Sequence, residues 1–64
     1  MKFNSAKLTD LMQENNETAY RLAKNIGVSQ TTIRNWQSGS NVPQLAKLAA
    51  LASHYNVAKK EFLI

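Results

Sequence analysis

The chain has two glycines, Gly27 and Gly39, and the residues around the first constrain the fold more than anything else in the sequence. Upstream, Ala19, Leu22, Ala23 and Ile26 fall at i, i+3, i+4 and i+7, the apolar stripe of an amphipathic helix. Gly27 stands where that helix would end, because glycine takes a positive φ without steric penalty. Val28 follows, and Ser29 carries the short oxygen-bearing side chain that caps a new helix. The second pattern, residues 29–37, has only Ile33 and Trp36 to bury. A helix this short with so few core residues is not there for stability alone. Its other side chains, Gln30, Thr31, Thr32, Arg34 and Asn35, are mostly uncharged hydrogen-bonding groups. That composition suits reading base edges better than it suits a solvated face, which would carry more Lys and Glu.

At about 100° per residue, Thr31 and Asn35 point away from the Ile33 and Trp36 edge. Gln30 and Arg34 share one shoulder and Thr32 lies on the other. This is the geometry of a helix-turn-helix, in which one helix braces and the next lays polar side chains into the DNA major groove. The bland alternative is a helical hairpin with a polar outer face.

The charge distribution bears on that choice. The 64 residues carry a formal net charge of +4. Asp10, Glu14 and Glu17 lie near the start and Glu61 near the end. Between Glu17 and Glu61 there is no acidic residue, while Arg21, Lys24, Arg34, Lys47, Lys59 and Lys60 fall in that interval. An unopposed basic stretch matches the footprint of phosphate binding; a basic solvated surface is the competing explanation. There is no cysteine, which removes disulfides and thiolate metal sites as a source of stability. A single domain over residues 1–64 must therefore rest on its hydrophobic core. No apolar run approaches the roughly 20 residues of a membrane span, and MKFNSAKLTD has no signal-peptide core. A cytoplasmic location is the expectation.

In chain order, Phe3 is expected to pack back on the core and Asn4 or Ser5 to cap a helix over about 4–14, with Leu8, Leu11 and Met12 as its stripe. Asn15-Asn16 is a turn signal. Thr18 caps the second helix, 18–26, leaving free N–H groups for an anion such as a DNA phosphate. Arg21 and Lys24 lie on its outer flank, as phosphate contacts or as plain solvated charges. Tyr20 is expected to pack its ring between helices rather than offer its hydroxyl to phosphate. QSGSNVP is a loop in which Ser38, Ser40 and Asn41 form a backbone-gripping surface, and Pro43 suits the start of the next helix. Residues 44–55 are the most apolar segment, with Leu45, Leu48, Ala49, Leu51, Ala52 and Tyr55 expected to face the core. His54 is the only histidine and has no second ligand candidate nearby in the sequence, so no metal or other cofactor is expected. Asn56 supplies a left-handed turn, and a last helix, 58–63, folds Phe62 and Leu63 inward. No segment alternates with period two, so no strand is expected.

With these residues laid out, the chain resembles the helix-turn-helix domain of phage repressors and Cro proteins, the lambda-repressor-like family. The run LAKNIGVSQTTIRNWQSGSNVPQLAKLAALASHYNVAKKEFL carries the likeness. Leu22-Ala23, Ile26-Gly27, Val28-Ser29, the polar triplet Gln30-Thr31-Thr32, Ile33, Trp36, Gly39 and Pro43 match the family pattern in combination. The resemblance implies an all-α, compact five-helix domain. It implies Gln30, Thr31, Thr32 and Asn35 on the base-reading surface with Arg34 beside them, and Thr18, Ser38, Ser40 and Asn41 near phosphates. Three positions depart from the pattern. Ala19 replaces a common glutamine, which removes a brace. Met12 and Gln37 replace an arginine–glutamate pair, a neutral exchange that strands no charge. Ala58 replaces a capping serine, so the last helix should fray.

The expected function is sequence-specific binding of double-stranded DNA by a small phage or bacterial transcriptional regulator, with no membrane partner. The operator is expected to be palindromic and bound by a homodimer that is weak or monomeric when free. The rivals are an antitoxin or other protein-interaction module on the same fold, or the N-terminal fragment of a longer repressor. Polar readers on the second helix argue against the interaction module, whose surface would favour aromatics and leucines. An enzyme is not expected, given no Cys, one His and no converging carboxylates.

Overall fold

The computed structural model describes residues 2–64. Each turn of the chain is made by the residue type that the sequence places there. The Asn4 side chain accepts from the Lys7 N–H at 3.1 Å and opens α1, Ser5–Glu14. Asn16, at φ 52°, reverses the chain. Thr18 Oγ1 accepts from the Arg21 N–H at 3.1 Å to open α2, Ala19–Ile26, which Gly27 closes at φ 85°. Ser29 repeats the device for α3, Gln30–Ser38, accepting from the Thr32 N–H at 3.1 Å; Gly39, at φ 82°, ends it. Pro43 and Gln44 lead into α4, Leu45–Tyr55, and Asn56 closes it at φ 56°.

Leu8, Leu22, Ile33, Leu51 and Phe62 are fully enclosed, one from each helix and one from the tail, with Leu11, Met12, Ala23, Trp36, Leu48 and Ala52 around them. Phe3 stacks on Phe62 with ring centroids 5.8 Å apart. The two ends of the chain meet in a single antiparallel bridge between Phe3 and Leu63. There the Ile64 N–H donates to the Lys2 carbonyl at 2.8 Å and the Asn4 N–H to the Phe62 carbonyl at 2.6 Å.

Three expectations are corrected. The domain is all-helical, but the described residues form four α-helices rather than five: residues 59–62 form only a 3-10 turn, Lys59–Phe62. Ala58 offers no side-chain cap, and the chain must straighten at Leu63 to reach Phe3, so a longer helix has no room. Leu45 is 73% exposed and Ala49 is exposed as well. The buried face of α4 is centred on Leu48, Leu51, Ala52 and Tyr55, and at about 100° per residue Leu45 and Ala49 fall beyond its edge. Tyr20 is 57% exposed instead of packed between helices. Met12 is buried and Gln37 half-buried, a neutral pair of positions within the core wall.

Candidate nucleic-acid interface

Two buried side chains fix α3. Ile33 and Trp36 lock one edge of the helix into the core, so the opposite edge faces solvent in a defined orientation. Gln30, Thr31 and Arg34 are exposed there. Asn35 is half-buried; its carbonyl accepts from the Ser38 hydroxyl within the last turn of α3 at 3.1 Å and from the Asn41 N–H of the loop that folds back on it at 3.3 Å. Thr32 is also half-buried, and its hydroxyl sits 2.8 Å from Ser29 Oγ. Thr32 is therefore part of the capping network first, with its methyl group left for any outside contact.

The residues assigned to phosphates divide in the same way. Thr18 Oγ1 spends a lone pair on the Arg21 N–H and keeps its own proton to donate. Ser38 donates to the Asn35 carbonyl, so in the 2.9 Å contact between Ser38 and Ser40 it is Ser40 that supplies the proton. Both serine protons are then engaged, the Ser38 proton within the last turn of α3 and the Ser40 proton on Ser38. Their job in the free chain is to shape the bend after α3, and a phosphate would have to compete with that. Asn41 is exposed beside them.

Arg21 and Lys24 on α2 and Arg34 on α3 are exposed. The ion pairs among the described residues are Lys7–Glu61 at 3.6 Å and His54–Glu17 at 2.8 Å, so these three cations face solvent unopposed. Glu17, the acidic residue next to this surface, lines a recess with Arg21 and Asn25 but is bonded to neither arginine nor lysine. Its carboxylate accepts from the Tyr55 hydroxyl at 2.5 Å, contacts His54 Nε2 at 2.8 Å, and accepts from the Asn25 amide at 3.1 Å. Burial pushes the Glu17 carboxyl up, but the hydrogen bonds from Tyr55, His54 and Asn25 and the histidine charge outweigh it and hold the carboxyl below its ordinary value. Burial and the same contact push the Tyr55 phenol upward. Sequence reading missed this cluster: Glu17 lies 37 and 38 positions from its two α4 partners, and no local pattern pairs them.

The order cap, helix, left-handed glycine, two residues, helix now stands on geometry as well as on sequence. A helix-turn-helix family model matches residues 8–62. The chain belongs to this family. Within the helix-turn-helix family it is 35% identical over 63 residues to the HTH-type transcriptional activator BcrR of Enterococcus faecalis, covering 98% of this chain and 30% of that protein. Among solved structures it is similar to the SOS-response transcriptional repressor LexA of Eubacterium rectale, with a TM-score of 0.91 and 31% identity over 97% of this chain and 66% of that one. The chain thus spans less than a third of the activator's length and about two-thirds of the repressor structure. In helix-turn-helix terms, α2 is the bracing helix and α3 the second helix of the motif. Among the described residues no helix is long and apolar enough to cross a membrane.

Proposed function

We propose that this chain binds double-stranded DNA sequence-specifically as a phage or bacterial transcriptional regulator of Cro and repressor type, with α3 in the major groove. The observation that carries the reading is the division of labour on α3: two side chains anchor it, and an outward row of Gln30, Thr31, Arg34 and Asn35 is left for hydrogen bonding. Gln and Asn can hold adenine in two bonds and Arg can hold guanine. Thr18, Arg21, Lys24 and Asn41 would grip the backbone on either side, with Ser38 and Ser40 shaping the loop and Thr32 offering its methyl. The names of the two relatives, an activator and a repressor, leave both directions of regulation available to this fold. A cytoplasmic site of action goes with the proposal.

A nine-residue helix reads only a few base pairs, too few to single out a site among competing genomic sequences. Two copies about a two-fold axis would read half-sites about one helical turn apart, so the operator is proposed to be palindromic. The apolar residues available for self-contact are Val42, Leu45 and Ile64, 61%, 73% and 73% exposed, and Val42 lines a groove with Phe3, Pro43, Leu48 and Leu63. This patch is small against the roughly 1,200–2,000 Å² of a stable interface. The dimer is accordingly proposed to be weak in solution and held together by the shared DNA.

Selection of bound sites from random duplex DNA tests this function. An enriched motif with two-fold symmetry supports it. A chain that retains duplexes without enriching any sequence contradicts specific recognition.

A further inference from the structure

On the outer side of α2 a shallow recess is lined by Tyr20, Arg21, Lys24 and Asn25. Tyr20 and Lys24 are four residues apart on one helix, the spacing at which side chains meet. The Lys24 Nζ lies over the Tyr20 ring, 5.6 Å from its centroid, within the reach of a cation–π contact. Arg21 opens onto the same recess. The Asn25 amide donates to Glu17, and Arg21 and Lys24 are the charged side chains that line the recess.

An aromatic ring 57% exposed on a helix of eight residues contributes little to the core. Its contact is with a lysine that has no carboxylate partner. A free lysine ammonium is a strongly hydrated charge on a flexible stem, and holding it in place costs rotamer freedom. A ring beneath it reduces that cost before any ligand arrives.

We propose that Tyr20 is a positioning residue for DNA binding: its ring holds the Lys24 ammonium beside Arg21, so that both cations meet the phosphate backbone next to the Thr18 cap. This rests on the DNA-binding reading of α3 and adds to it a residue that touches no base. Tyr20 acts through Lys24, and what the ring supplies is its face, not its hydroxyl.

The prediction separates the two parts of tyrosine. Tyr20→Phe keeps the face and should bind duplex DNA like the parent chain. Tyr20→Leu keeps apolar bulk but loses the face, and should weaken binding by about two- to five-fold per bound chain, the range of an exposed cation–π contact. In a Lys24→Gln background, Tyr20→Leu should have no further effect. Affinities would be measured on one mixed-sequence duplex between about 50 and about 200 mM salt, with thermal unfolding as a control that all variants should pass alike. Equal affinity for Tyr20→Leu and the parent, or an undiminished loss in the Lys24→Gln background, overturns the positioning role while leaving DNA binding intact. Loss of binding in Tyr20→Phe equal to that in Tyr20→Leu also overturns it, since the hydroxyl would then be the contact. A parent chain that binds no duplex removes the reading on which the role rests, and the role with it.

Discussion

The Tyr55 hydroxyl donates to Glu17 Oε1 at 2.5 Å, joining the last turn of α4 to the residue just before the α2 cap. The contact ties the segment before α2 to α4, beside the anchoring of α2 by its buried Leu22 and Ala23. Removing the donor with Tyr55→Phe should cost about 1–2 kcal/mol in chemical denaturation, within the range for a hydrogen bond to a charged group that is part-exposed. A loss near zero would mean that His54 and Asn25 suffice to hold Glu17.

The same pair predicts how stability varies with pH. The Glu17 carboxyl is depressed in the folded chain, so its contribution is present above the ordinary value of 4.5 and is lost as pH falls through the folded value. The Tyr55 phenol is raised, so its contribution is present below the ordinary value of 10.0 and is lost as pH climbs beyond it. Denaturation across pH should show stability falling on both sides of that window. In Glu17→Gln the acid-side fall should flatten, and an unchanged acid limb would remove Glu17 as its source.

Gly27 isolates a backbone effect. At φ 85° an added Cβ would meet no atom within 4 Å, so Gly27→Ala should destabilise only through its left-handed dihedral. The expected cost is about 1–2 kcal/mol, with Gly27→Asn costing less because asparagine tolerates that region. Equal stability of the alanine variant would show that the turn can relax.

Salt dependence addresses the cations. Each phosphate-neutralising cation contributes about −0.9 to the slope of log affinity against log salt, and Arg21 faces solvent unopposed. Arg21→Gln should reduce the slope by about one while weakening cognate and random duplexes alike. Affinity indifferent to salt would count against DNA binding of any kind.

Self-association can be probed at Leu45. As the first residue of α4 and 73% exposed, it can take an acidic replacement without loss of folding, since negative charge is favourable in the first turn. Leu45→Asp should leave half-site affinity unchanged and lower full-site affinity, while the parent chain sediments as a monomer at micromolar concentration. A tight dimer without DNA would refute the weak interface.

What sequence could give was local. Asn4, Thr18 and Ser29 each cap the helix expected of them, and Asn16, Gly27, Gly39 and Asn56 each take the left-handed conformation, because caps and reversals depend on the residue itself and its neighbours. Leu45 and Tyr20 misled because apolar character says a side chain prefers burial, not whether another element reaches it. The fate of the last helix turned on a bridge to Phe3 at the other end of the chain. In the candidate interface, the exposure of Gln30, Thr31 and Arg34 followed from helical periodicity. The engagement of Asn35, Ser38 and Ser40 came from hydrogen bonds at the end of α3 and from the loop folding back to Asn35, which periodicity does not describe.

The central claim is that the outer edge of α3 reads bases, and site selection with a substituted helix tests it most directly. Gln30, Arg34 and Asn35 would be replaced together by alanine, leaving the anchors Ile33 and Trp36 in place, and sites selected from the same random duplex pool as for the parent. Each good two-bond pair carries roughly 1–3 kcal/mol of discrimination. The account predicts that the parent enriches a defined motif and that the substituted chain, still folded and still bound through its phosphate contacts, loses or changes the preference at the positions read. Recovery of the same motif, with the same strength at every position, would contradict it.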